Sequence, residues 1–216
     1  MDVEAARQQM IEQQVRAWEV LDPRVLEAFA RVPRERFVPA AFRELAFADA
    51  PIPLPGGESM LAPKIDGRIL QACAVAPGDA VLEIGAGSGF LAACLATSGG
   101  RVTTLERRPE LATLAAANLR AAGYPAVSVI GADATSWQPR ERYDVIVLSA
   151  SLPVYDARYA SWLEPGGRLF VAIGAAAPMI ATLVQRAGED EYASTALFET
   201  VIDPLYNAPR RSAFVF

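Results

Sequence analysis

The chain has 216 residues, 52% of them hydrophobic and 21% charged, a composition that predicts one globular domain with a decorated end and excludes a disordered chain. Its 20 basic against 25 acidic side chains leave a formal charge of −5, so no global field draws in polyanions and nucleic acid is not expected as a partner; the local basic groups are Arg31, Arg34 and Arg36, Arg107 and Arg108, and Arg210 and Arg211. No apolar run reaches the roughly 18 residues of a membrane span, and the N-terminus is charged and amphipathic, so a soluble, cytoplasmic protein without a membrane partner is expected.

From Val3 to about Trp18, Ala6, Met10, Val15 and Trp18 recur at roughly helical spacing among Gln, Glu and Arg, which predicts an amphipathic helix. Asp22 and Pro23 suit the N-cap and first position of a second helix that runs to about Arg31 and is stopped by Pro33. The prolines and glycines between Asp49 and Gly57 predict an extended loop, a candidate lid, and a helix from Pro63 to about Ala74 leads into the core.

From Ala80 the pattern becomes apolar runs alternating with helices, the rhythm of a doubly wound parallel sheet. Strands are expected at Ala80 to Ile84, Arg101 to Leu105, Val127 to Gly131 and Tyr143 to Leu148, with helices to about Ser98 and over Pro109 to Ala122. A short helix near Asp156 to Leu163 precedes the turn Glu164-Pro165-Gly166-Gly167, and strands follow at Arg168 to Ile173, Met179 to Gln185 and Tyr192 to Ile202. Cys73 and Cys94 sit in apolar helical sequence and are expected as buried thiols rather than as a disulfide or metal site. There is no histidine, which removes the commonest catalytic base and metal ligand, and no metal is expected.

The chain is organised around Val81-Leu-Glu-Ile-Gly-Ala-Gly-Ser-Gly89, a strand, a glycine loop and a helix start. Bare backbone there lets a ligand lie close, and the free amides at the head of a helix offer it hydrogen bonds. A dinucleotide fingerprint requires G-x-G-x-x-G, but here the third glycine comes one residue early and Phe90 takes the sixth position. Glu83, two residues before the first glycine, would repel a phosphate and attract a cation. The sulfonium and ammonium of S-adenosyl-L-methionine fit that charge.

Two further carboxylates fall at strand ends, where open parallel sheets bind ligands. Glu106 lies 21 residues beyond Gly85, placed to accept both ribose hydroxyls, and Asp133, in Gly131-Ala-Asp-Ala134, is placed to take the adenine amino group. Each alone suits a cap or a solvated loop charge equally well; in this order they suit an adenosine.

Val32-Pro-Arg-Glu-Arg-Phe-Val-Pro39, Ala48-Asp49 with Pro53-Leu54, the glycine motif, Leu105-Glu-Arg107 and Leu163-Glu-Pro-Gly-Gly-Arg-Leu169 together resemble the protein-L-isoaspartate O-methyltransferases, from about residue 8 to about 205. The resemblance implies a Rossmann-like class I S-adenosylmethionine-dependent methyltransferase, a doubly wound, mostly parallel seven-stranded sheet with an N-terminal helical cap. It implies a cap and substrate-side loop over residues 1–75 and a methyltransferase domain over 76–216. Its substrate would be the isoaspartyl carboxylate of damaged proteins. The donor site it implies comprises Glu83, Gly85, Ala86, Gly87, Gly89, Glu106, Arg107, Asp133, Ala134 and Ser149. In the family's G-x-T-I-S-x-P segment the final Ser lies by the substrate; here the matching residues are Gly57-Glu-Ser-Met-Leu-Ala-Pro63, so Leu61 replaces that Ser and Ser59 stands at the Thr position. Ser59 and Leu61 are thus the candidate catalytic positions.

A carboxylate acceptor is already ionised at neutral pH and needs no general base, which a histidine-free chain accommodates. Two other readings stay open on Leu61: a methyltransferase of this scaffold with another protein or small-molecule acceptor, and a non-catalytic donor-binding module. A monomer is the default expectation.

Overall fold

The computed structural model describes residues 2–209; Arg210 and Arg211 lie outside them. Asp2 caps α1 (Val3–Met10) by accepting the N–H groups of Glu4 and Ala5, and the helical path continues as a π-turn over Ile11–Val15 and a 3-10 turn over Arg16–Trp18. The expected single helix is therefore one continuous run wound at three pitches. The wider turn carries Ile11 and Val15 into the core. Asp22 caps α2 (Pro23–Arg31) with Pro23 in its first turn, and Val32 is extended, as a residue before proline prefers.

The proline- and glycine-rich stretch differs from the extended loop expected of it. It folds back as a small antiparallel hairpin of β1 (Ile52–Pro53) and β2 (Ser59–Met60), pairing Ile52 with Met60 and Pro53 with Ser59. Gly56 and Gly57 supply the positive φ angles of its turn. α3 (Pro63–Cys73) then leads to the main sheet.

That sheet comprises β3 (Ala80–Ile84), β4 (Arg101–Glu106), β5 (Ser128–Gly131), β6 (Tyr143–Leu152), β7 (Leu163–Ile173), β8 (Met179–Arg186) and β9 (Tyr192–Thr200), with α4 (Phe90–Thr97), α5 (Pro109–Ala121) and α6 (Ala157–Ser161) between strands. The strand order is β5-β4-β3-β6-β7-β8-β9. The pairings from β5 to β7 are parallel, and β8 and β9 are added antiparallel. The chain reverses direction across the sheet at β3, so the tips of β3, β4 and β6 form the crevice where such sheets bind ligands. β9 is the outermost strand and is exposed from Tyr192 to Ala196.

Two irregularities matter. The expected turn Glu164–Gly167 is a bulge within β7: Tyr143 pairs with Leu163, but Val145 pairs with Arg168. β6 runs past Leu148 to Leu152, with a second register shift between Val147 and Ser151 that frees Ser149 and Ala150 from pairing.

Alternate residues of β3 serve two cores. Val81 packs with the N-terminal helices, α3 and α4, whereas Leu82 and Ile84 pack on the other face with Leu105, Tyr159 and Trp162. Cys73 and Cys94 are buried free thiols, and burial pushes Cys73 up to about 12 and Cys94 well above its ordinary value. Trp162 is buried, Trp137 meets its ring edge-on, and exposed Trp18 lies under the Lys64 ammonium. Among the described residues no helix is long and apolar enough to cross a membrane.

Candidate functional site

The amides of the glycine loop are mostly bonded within the protein, while at the head of α4, where free amides are expected, the N–H groups of Leu91 and Ala92 have no partner among the described residues. The N–H groups of Gly85 and Ala86 both donate to Leu105 O at 2.9 and 3.1 Å, Gly87 donates to Glu106 Oε2 at 3.1 Å, and Gly89 to Ala86 O at 2.8 Å. What the loop presents is bare surface. A Cβ on Gly85 would stand 3.0 Å from Ser149 Oγ, and one on Gly87 would stand 3.3 Å from Leu54, both at positive φ. Gly89 serves helix packing: its Cβ would meet Leu119 at 3.0 Å and Ala115 O at 3.2 Å. It lines neither cavity described below.

Glu106 ends β4 and is nearly buried; one oxygen accepts Gly87 N–H and the other Arg108 N–H at 2.9 Å. Each oxygen keeps a second lone pair. Asp133 follows β5 and makes a local turn, Oδ1 accepting both the N–H (2.8 Å) and the hydroxyl (2.7 Å) of Thr135. Its Oδ2 accepts from Asn207 Nδ2 at 2.8 Å. Burial pushes this carboxyl up, but the bonds from Thr135 and Asn207 and the charge of Arg107 outweigh it and hold the group below the usual range.

Glu83 lies deeper, 1% exposed, accepting from Thr104 Oγ1 at 2.5 Å. Burial pushes it up to about 8, with the nearby carboxylates Asp66 and Glu106 adding to the shift. Asp66 is buried as well and is pushed up to about 7 by burial, offset in part by Arg34.

A cavity of about 300 Å³ spans the sheet tips, lined by Gly85, Gly87, Glu106, Arg107, Asp133, Ala134 and Ser149 on one side and by Glu58 to Leu61 and Val201 to Tyr206 on the others. A smaller one of about 50 Å³ adjoins it and reaches Asp66, Glu83, Ala86 and Phe90. Ser59, Met60 and Leu61 line both, so the hairpin strand β2 stands at their junction. The structure thus brings together every proposed donor residue except Gly89. Ser149 Oγ donates to Ile84 O and Gly85 O at 2.9 and 2.8 Å, pinning the strand end to the loop.

Three features leave no local mark in the sequence. Arg34, one of the local basic residues, is 1% exposed. It pairs with Asp66 at 2.9 Å, donates to Ala46 O at 3.0 Å and Leu61 O at 2.6 Å, and lies 4.5 Å over the Phe90 ring. Ser151 is buried and ties down the C-terminal segment, donating to Asp203 O and Ile202 O. That segment then crosses the tips, where Tyr206 stacks on Arg107 at 3.7 Å and Asn207 reaches Asp133. Long-range contacts of this kind leave no periodicity in a sequence. The one available signal for Arg34 is its position inside the VPRERFVP segment.

The sequence profile of the protein-L-isoaspartate(D-aspartate) O-methyltransferase family (PCMT) matches residues 5–207. A protein-L-isoaspartate O-methyltransferase of Aeropyrum pernix is 39% identical over 205 residues, covering 93% of this chain and 79% of its own length. One of Pelobacter propionicus is 38% identical over 207 residues, covering 95% and 92%. Among solved structures, a Plasmodium falciparum protein of this type in complex with S-adenosyl-L-homocysteine superimposes with a TM-score of 0.82 at 17% identity, over 95% of this chain and 98% of that one, a likeness of fold. With a matching profile over nearly its whole length and relatives of comparable size, the chain belongs to the protein-L-isoaspartate O-methyltransferase family.

Proposed function

We propose that the large cavity holds S-adenosylmethionine across the sheet tips, and that the hairpin strand β2 presents the acceptor carboxylate of an isoaspartyl residue to it. Family membership makes the chain an S-adenosylmethionine-dependent protein-L-isoaspartate methyltransferase. The observation that carries the residue assignment is the pairing of a bare glycine loop with a carboxylate already fixed by two amides: a Cβ at Gly85 would crowd the Ser149 hydroxyl at 3.0 Å where both line the cavity, and Glu106 keeps acceptor capacity on both oxygens.

When bound, the donor supplies a methyl group on a sulfonium whose carbon–sulfur electron pair returns to sulfur. Glu106 takes the ribose hydroxyls, and Asp133, beside Ala134, takes the adenine amino group. Ser149 and Ala86 shape the loop, and Arg107 with Tyr206 covers the adenine side. Glu83, which burial favours in its protonated form, becomes a counter-charge when a cation enters the small cavity. The residues' main contribution is alignment, and holding nucleophile and methyl group in line is worth roughly 7–11 kcal/mol in the best oriented systems. Leu61 gives the acceptor no hydrogen bond, so the Ser59 hydroxyl, which lines both cavities, takes that role.

The reading is tested by methyl transfer to an isoaspartyl peptide and to its aspartyl twin, with native protein, Ser59→Ala and Leu61→Ser. Native protein should methylate only the isoaspartyl peptide, Ser59→Ala should lose roughly tenfold or more in kcat/KM, as loss of one hydrogen bond to a charged group costs, and Leu61→Ser should gain. Transfer by Leu61→Ser with none by native protein would assign the native enzyme to a different acceptor. The chain's two free cysteines suit the reducing cytoplasm. Residues 1–75 act as the cap and substrate-side loop of the domain formed by residues 76–216.

A further inference from the structure

The hairpin that carries Ser59 is fastened to the donor side at two points. Leu54, whose N–H closes the hairpin on Glu58 O at 2.8 Å, packs against the bare face of Gly87. Glu58, the residue before Ser59, accepts from Arg108 Nε at 2.8 Å. Arg108 is also the residue whose backbone N–H donates to Glu106 Oε1. Its guanidinium lies flat on the hairpin turn: a Cβ at Gly56 would come within 2.7 Å of Arg108 Nη1. Glu110 stands farther off, at 3.7 Å, as a second acid beside the same guanidinium.

Glu106, the group assigned to the donor's ribose, and Gly87, the bare face of the donor loop that bonds to it, are therefore also the groups on which the acceptor-side hairpin rests. We propose that Arg108 and Glu58 are positioning residues that couple the two halves of the reaction: the latch between them sets the height of Ser59 over the donor cavity and makes donor affinity depend on the hairpin. The inference rests on the donor reading above.

The pair is partly exposed, its side chains 27% and 36% accessible, so its effect is modest and screened by salt. Its signature is coupling rather than size. Calorimetry with S-adenosyl-L-homocysteine on wild type, Glu58→Gln, Arg108→Gln and the double variant forms a cycle. Each single variant should weaken binding about threefold, the range of a partly exposed ion pair, and the double variant no further. Arg108→Lys should recover most of the loss, and in turnover the single variants should raise KM for the isoaspartyl peptide more than they lower kcat. Unchanged binding in Glu58→Gln, or full additivity in the double variant, would overturn the latch while leaving the donor site intact. No heat with wild-type protein would overturn the donor reading, and the latch with it.

Discussion

Arg34, buried beneath the N-terminal cap, donates to the main-chain oxygen of Leu61 at 2.6 Å while its other nitrogens hold Asp66 and Ala46 O. The specific VPRERFVP segment thus acts from inside. It fixes the backbone just after strand β2 rather than exposing charge at the surface. Its cation also offsets Asp66, which lines the small cavity.

Arg34→Ala should therefore destabilise the fold by about 3–5 kcal/mol, because it strands a buried carboxylate and two carbonyls at once. Adding Asp66→Leu to Arg34→Met should restore much of that loss, since an apolar pair of similar volume leaves no buried charge. Urea unfolding of the single and double variants measures both. Equal losses in the two would show that Asp66 is not the group Arg34 neutralises.

Glu106 accepts two amides, one from the glycine loop and one from the turn into α5. Glu106→Gln turns an N–H₂ toward one of those amides and removes the charge, so S-adenosyl-L-homocysteine binding should weaken roughly tenfold or more. Thermal stability should fall as well, by about 1–3 kcal/mol for the stranded amide. Calorimetry reads the first effect and a melting curve the second; unaltered affinity would remove Glu106 from the donor site.

Burial raises the carboxyl groups of Glu83 to about 8 and Asp66 to about 7, from ordinary values of 4.5 and 3.8. The folded protein then holds protons that the unfolded chain has already released. The stability these groups contribute is complete below about pH 4 and is lost as pH rises through 7 and 8. Glu83→Gln, which keeps the shape and the Thr104 contact, should flatten that slope. At pH 9 it should be more stable than wild type by several kcal/mol, up to about 5 for the full shift at about 1.4 kcal/mol per unit. Unfolding free energies at pH 5, 7 and 9 decide it, and identical slopes in the two proteins would place Glu83 at its ordinary value.

The sheet was legible because parallel strands buried on both faces are continuous apolar runs, and Val81 to Ile84 and Tyr143 to Leu148 are of that kind. Glu106 and Asp133 are legible for a different reason: each ends or follows a short β-type run, Val102 to Leu105 and Val127 to Ile130, and so lies at a strand tip. The hairpin was not, because its two-residue strands leave no alternation to read, and prolines mark a loop and an edge strand alike. Nor was the state of the loop amides, since the sequence does not reveal that Leu105 O takes both Gly85 and Ala86. The burial of Arg34 is not legible because arginine is so rarely buried without a partner, and its partner, Asp66, is 32 positions away.

Strand β9 ends the sheet with nine residues of main chain whose outward groups no other described strand takes. Until Glu199 it carries no charged side chain to discourage company. A margin of that kind is a template onto which any extended polypeptide can zip. For a member of a family that acts on polypeptides, it is the margin at which contact with a chain would pass over into co-precipitation.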